Sequence, residues 1–278
     1  MRRCGDVGNS RSTDCARDSR RAFGDEMLLK GGLVLELRLE RARTTRDIDL
    51  RLRGDPGQVF DRPRTAAAAV GADFFQFDIT PDARLPAIVG ESVRYVGQRY
   101  SVSTRLAGRP FVHPFGLDIG FGDPVVGEIG KRTGKDTLGF AGVPPPEVRV
   151  YPVETHVAEK LHAYTLPRAR ANSRVKDLPD IALLASSGTV RGSTLRTALE
   201  ATFAYRSTHA LPARLDEPTA AWAEPYRALA VSDGLPWRDI AAVHRASSAF
   251  LDPVPADEPC EMWDHAAWRW VGGPAPKP

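Results

Sequence analysis

Residues whose types and spacing can do chemistry gather first between positions 28 and 53, in the stretch LLKGGLVLELRLERARTTRDIDLRLR. Asp47 and Asp49 bracket Ile48 in a short run where apolar residues at 48, 50 and 52 alternate with Asp47, Asp49, Arg51 and Arg53. That is the period of a strand with one polar face. Carboxylates two residues apart on a strand project from the same face, about 6–7 Å apart along the backbone. They can converge on one cation or on a pair of them. Upstream, Gly31-Gly32 precedes an amphipathic segment and reads as a turn into a helix N-terminus. Such a turn offers backbone N–H groups to a phosphate, and glycine lets the backbone approach where a side chain would collide. Carboxylates and turn together point to metal-dependent chemistry on a nucleotide.

A third carboxylate, Asp118, lies between Leu117 and Ile119 in another strand-like run. It is either an edge-strand acid facing water or a partner for Asp47 and Asp49, because buried acids are rarely left unpaired. A later group comprises Glu159-Lys160-Leu161, then Arg174-Val175-Lys176-Asp177 and Asp180. As surface chemistry it reads as an exposed helix with a basic turn and a Lys176–Asp180 pair at i, i+4. As site chemistry, Lys160 and Lys176 can hold nucleotide phosphates as compact point charges, with Asp177 or Asp180 orienting them. In a two-metal transfer, hard oxygen ligands hold Mg²⁺, which neutralises a triphosphate and lowers the pKa of the attacking hydroxyl. In that reading Asp47 and Asp49 supply ligands, and Asp118 holds the ion beside the acceptor hydroxyl.

The elements that must position these residues follow from periodicity and breakers. Residues 1–26 are polar and rich in Arg, Asp and Ser, and read as a disordered or misassigned leader. Met27 to Leu29 reads as a short buried strand, the segment after Gly32 as a helix, and Asp47 to Arg53 as a strand stopped by Gly54-Asp55-Pro56-Gly57. A helix over 58–71 and extended runs over 74–79, 93–107 and 111–121 follow. The run Gly139 to Pro146 (GFAGVPPP) is the expected linker, dividing a core over 27–142 from a helical part over 143–272, with a disordered tail at 273–278. In the second part, helices are expected over about 154–166, 177–185, 193–205, 218–230 and 236–251.

Bulk properties agree with a soluble globular chain of one or two domains: 278 residues, 42% hydrophobic and 26% charged. No apolar run approaches the ~20 residues of a membrane helix, and no apolar segment follows the basic N-terminus as a secretory signal requires. Cytoplasmic residence is therefore expected. A net charge of +3 with 38 Lys and Arg residues permits a nucleic-acid partner without requiring one. Three scattered cysteines, Cys4, Cys15 and Cys260, support neither a disulfide framework nor a zinc cluster.

Taken together, the motifs resemble the AbiEii/AbiGii-type nucleotidyltransferase toxins of type IV toxin–antitoxin and abortive-infection systems, within the DNA polymerase β-like superfamily. The resemblance is carried by Leu29-Lys30-Gly31-Gly32, by Arg43 and Thr45 before Asp47-Ile48-Asp49-Leu50, and by Glu159-Lys160-Leu161-His162-Ala163 followed by Arg174, Lys176-Asp177 and Asp180. It implies an α+β fold, with a polymerase β-like domain built on a mixed sheet followed by an α-helical domain. It implies catalytic roles for Asp47, Asp49, Asp118, Lys160, Asp177 and Asp180. Nucleotide contacts would come from Gly31, Gly32, Thr45, Lys160, Arg174 and Lys176, and Mg²⁺ would sit on the three aspartates. The implied reaction moves a nucleoside monophosphate from an NTP to an RNA hydroxyl, the tRNA 3′ end in some relatives, with release of pyrophosphate. A cognate antitoxin is the implied protein partner, and no membrane is involved. One departure stands out: relatives carry Thr or Ser after the glycine pair, whereas this chain has Leu33, which cannot donate a hydrogen bond to a phosphate. A nucleotide- or RNA-binding protein of the same fold without catalysis is the alternative this departure suggests.

Overall fold

The computed structural model describes residues 26–39, 45, 47–53, 75–84, 86–87, 96–168, 174–256 and 258–272. The expected leader, the helix over 58–71, most of the Arg41–Arg46 connection, the centre of the basic loop after Arg168 and the tail lie outside them. The chain divides into two compact units. The first takes residues up to Leu37, Thr44–Gly122 and Ile129–Tyr151, and the second takes Arg38–Arg43, Asp123–Glu128 and Pro152 onward.

The first unit is built on a mixed sheet. Its strands are β1 (Met27–Lys30), β2 (Ile48–Leu52), β3 (Phe75–Pro81), β4 (Val96–Leu106), β5 (Arg109–Pro110), β6 (Phe115–Phe121), β7 (Gly130–Thr133) and β8 (Glu147–Val150). Among the described residues the order is β3-β4-β6-β2-β1-β8-β7, with β5 paired to β4. The pairs β2–β6 and β1–β8 are parallel, and β1–β2, β4–β6, β3–β4 and β7–β8 are antiparallel. Helix α1 (Gly31–Arg38) follows β1 directly.

Alternation sorts the two faces. Ile48, Leu50 and Leu52 of β2 join Met27, Leu29, Leu117, Ile119, Tyr100, Val102, Phe77, Val148 and Val150 in one apolar core, capped by Leu33 and Val34 of α1. The intervening residues, Asp49 and Arg51 among them, therefore turn to the other face. Two sequence expectations change here. Asp118 is not on an edge, since β6 lies between β4 and β2. The sheet also continues past the proline run: β8 follows it, its Val148 and Val150 buried. Four residues are too few for a period to show in the sequence.

The second unit packs α2 (Val153–Thr165), α3 (Asp177–Ser186), α4 (Gly192–Arg206), α5 (Ala223–Ser232) and α6 (Ile240–Leu251). A small sheet of β9 (Val190–Arg191), β10 (Met262–Asp264) and β11 (Arg269–Val271) accompanies them. It was not expected, because strands of two or three residues carry no periodic signal. The Trp263 indole is fully buried and donates to the Ala185 carbonyl at 2.9 Å, fastening that sheet to the end of α3. Segment 123–128 is tied in by Thr155, whose hydroxyl donates to Val126 O at 2.6 Å and accepts from Val126 N at 2.8 Å.

Candidate active site

The first cluster is placed by strand register. Parallel pairing of β2 with β6 sets Asp49 opposite Asp118 and Ile48 opposite Leu117. Residues at paired positions share a face, and neighbouring strands lie about 4.8 Å apart. Asp47, just before β2, reaches the same row: its Oδ1 accepts from the Gly116 N–H at 3.2 Å. A Cβ at Gly116 would lie 2.6 Å from that oxygen, so glycine there is a condition of Asp47's position. The three aspartates singled out from the sequence are thus neighbours on one polar face.

Gly31 has φ +69°, and a Cβ on it would lie 1.9 Å from Asp49 Oδ2. The left-handed turn and the missing side chain are both needed for Asp49 to lie over the start of α1. The glycine therefore makes room for a carboxylate of the protein itself. Gly32 is buried in the first turn of α1. Leu33 is fully buried in the core, so its side chain points away from the polar face. Thr45 donates its N–H to Glu36 Oε1 at 2.8 Å and its hydroxyl to the Asp47 carbonyl at 3.3 Å, bracing the entry to β2.

Two cations to which sequence reasoning assigned no role stand beside this row. Lys30 is opposite Asp49 in the β1–β2 pair; it is buried, with its Nζ 5.6 Å from the centre of the Tyr151 ring. Arg99 is opposite Asp118 in the β4–β6 pair. Its Nε donates to Asp118 Oδ1 at 2.7 Å and its Nη2 to Oδ2 at 2.6 Å. Bonding to Asp118 holds the guanidinium well above arginine's ordinary pKa against a desolvation cost, with Asp47 and Asp82 adding to the effect. Period-2 alternation places Arg99 on a strand face, but only sheet order says which acid it meets.

The second cluster lies within the helical unit. Asp177 and Asp180 occupy the first turn of α3, where the helix dipole favours acids, and their i, i+3 spacing puts them on one side. Lys160 of α2 donates to Asp177 Oδ1 at 2.9 Å and meets Asp180 Oδ2 at 2.8 Å. Burial works against its charge, but Asp180 and Asp177 more than offset that, and its pKa lies above lysine's ordinary value. Arg174 Nη1 is 3.8 Å from the other Asp177 oxygen. The i, i+4 pair expected between Lys176 and Asp180 is not formed: Lys176 is exposed, while Asp180 is buried against Lys160. Helix packing aims Asp180 inward.

Behind Lys160 runs a buried polar network. Arg206 donates from Nε and Nη2 to the two oxygens of Asp123 at 2.8 and 2.9 Å, and its Nη2 lies 3.6 Å from Glu159 Oε2. Its Nη1 is 3.3 Å from His162 Nδ1, and His162 Nε2 pairs with the Thr208 hydroxyl at 2.7 Å. Burial first, and then the Arg206 charge, push the His162 pKa down to about 3, so the ring is neutral at ordinary pH.

Asp47, Asp49 and Asp118 form an all-oxygen donor set of the kind hard divalent cations take. Among the described residues no group of three or more Asp, Glu, His or Cys side chains is placed to hold a metal ion. Gly116 and Arg99 engage Asp47 and Asp118, and Asp49 folds over the Gly31 turn. The donors fit such an ion chemically, provided that Arg99 yields.

A mixed sheet with aligned carboxylates on adjacent strands, a glycine turn beside them and a helical second unit make up an α+β protein. Among solved structures, the fold is similar to that of MenT4, a nucleotidyltransferase toxin from Mycobacterium tuberculosis H37Rv: TM-score 0.55, 18% identity, covering 94% of this chain and 86% of that one. A weaker likeness is to JHP933 from Helicobacter pylori, with TM-score 0.44, 14% identity, and coverage of 89% and 95%. No curated protein matches the chain. Residues 15–259 match the family described as the nucleotidyl transferase AbiEii toxin of type IV toxin–antitoxin systems, and the chain belongs to that family. No described helix is long and apolar enough to cross a membrane.

Proposed function

We propose that this protein transfers a nucleoside monophosphate from an NTP to an RNA hydroxyl, with the 3′ end of tRNA as acceptor, and that a cognate antitoxin restrains it. The observation that carries the reading is the alignment of Asp49 and Asp118 on paired parallel strands, with Asp47 in the same row.

The acceptor oxygen forms a bond to the α-phosphorus and loses its proton to solvent, the bond from that phosphorus to the bridging oxygen breaks, and pyrophosphate leaves with the electron pair. Asp47, Asp49 and Asp118 would hold Mg²⁺. When bound, the ion neutralises phosphate charge and lowers the pKa of the attacking hydroxyl. Backbone N–H groups of the Gly31-Gly32 turn, at the start of α1, would receive phosphate oxygens. Lys160, kept charged by Asp180 and Asp177, would offer its ammonium to a nucleotide phosphate. Asp177 and Asp180 position that lysine, Arg174 supports Asp177, and Lys176 adds an exposed cation. Thr45 braces the backbone at Asp47.

Purified protein incubated with Mg²⁺, total tRNA and each α-labelled NTP in turn should label the RNA and release pyrophosphate. Asp47→Asn and Asp49→Asn should lower the rate by about a hundredfold or more, as removal of a group acting on developing charge does. Absence of label from every NTP, or equal labelling by the Asp47→Asn and Asp49→Asn variants, sinks the proposal. Labelling of protein but not RNA would replace the acceptor.

A further inference from the structure

Arg99 engages both oxygens of Asp118, the carboxylate that the proposed function assigns to a cation. The Asp118 side chain is 18% exposed and sits on a central strand, whereas that of Arg99 is 39% exposed at the end of a long flexible stem. If one partner moves, it is the arginine. A divalent ion on Asp118 and a guanidinium still forked onto both its oxygens would place two positive centres a few ångströms apart, and their repulsion is strong where water is partly excluded.

From this geometry we infer that Arg99 is an internal counter-ion that competes with the divalent cation for Asp118. The fork keeps the carboxylate aimed from its strand and neutralised; a cation binds by displacing the guanidinium, and Arg99 thereby sets the cation concentration at which the site fills. Arg99 is a positioning residue in this scheme. The inference rests on Asp118 being a cation ligand, so its test must separate the two.

Mn²⁺ binding by the full-length protein, followed by the electron paramagnetic resonance signal of free Mn²⁺ and by calorimetry, separates them. The proteins compared are wild type, Arg99→Gln, Arg99→Lys, Asp118→Asn and the Arg99→Gln/Asp118→Asn double variant. Loss of a charge-assisted fork predicts that Arg99→Gln binds the Asp118-dependent ion roughly tenfold tighter or more. Arg99→Lys keeps the charge but cannot fork, and should tighten binding by roughly threefold. Asp118→Asn should lose that ion in both backgrounds. An Arg99→Gln affinity within about twofold of wild type, or weaker, while Asp118→Asn still loses the ion, overturns the counter-ion inference and leaves the cation reading standing. Unchanged Mn²⁺ binding in Asp118→Asn removes that reading for Asp118 and the inference with it. Should Arg99→Gln not fold, Arg99→Lys decides alone: tighter binding supports the inference, and unchanged binding overturns it.

Discussion

Gly31→Ala tests the tie between the glycine turn and the acid row. Two penalties add. At φ +69° an L-residue pays about 1–2 kcal/mol for the left-handed conformation. The new methyl carbon would also sit 1.9 Å from Asp49 Oδ2, 2.6 Å from its Cγ and 2.9 Å from its Cβ. Because the Asp49 Cβ itself is too close, turning the carboxylate does not relieve the overlap, and the side chain or the β1–α1 backbone must shift. Overpacking of this kind costs about 1–3 kcal/mol, for a total of roughly 2–5 kcal/mol. Gly108 supplies the control, having φ +77° and nothing within 4 Å of its added Cβ. Gly108→Ala should therefore cost only the conformational part, about 1–2 kcal/mol, and leave the acid row alone. Urea unfolding measures both variants, and Mn²⁺ binding with NMP transfer reads the displacement of Asp49. Equal destabilisation in the two variants, with Gly31→Ala retaining normal cation binding, would refute the claim that Gly31 is there to admit Asp49.

Three further outcomes follow from the helical unit. Asp180→Ala leaves the partly buried Lys160 with one carboxylate and should cost about 3 kcal/mol in urea unfolding, while Lys176→Ala at an exposed position should cost under about 0.5 kcal/mol; comparable losses would restore a Lys176–Asp180 pair. Arg206→Met strips the fork from buried Asp123 and should cost about 3 kcal/mol or more, and a melting temperature unchanged from wild type would contradict this. For His162, the folded value of about 3 lies below the ordinary 6.5, so below pH 6.5 the unfolded chain takes up the proton first. Stability from this group is thus complete above pH 6.5 and declines as pH falls toward 3, by at most about 1 kcal/mol per pH unit after allowance for solvent screening. Unfolding curves from pH 7 to 4 should show a shallower decline for His162→Asn than for wild type.

Residue order alone determined a good deal. Alternation around Ile48, Leu50 and Leu52 puts Asp47 and Asp49 on one polar face whatever the strand pairs with, because side-chain direction on a strand is local. Helical spacing and acids in a first turn mark α2 and α3 for the same reason, and the α+β fold was implied by the family resemblance those motifs carry. What the chain order does not contain is which strands become neighbours and in what register. Pairing of β2 with β6 brings Asp118 opposite Asp49, and pairing of β4 with β6 gives Asp118 its arginine. The pairing of β1 with β2 likewise turns Lys30 from a motif letter into a buried cation opposite Asp49. The same limit explains Asp180: four residues from Lys176 along the helix, it bonds instead to Lys160, since the packed side of α3 was decided by burial of Leu178, Ile181 and Leu184. Local spacing sets which way a side chain points; the tertiary fold alone sets what stands in front of it.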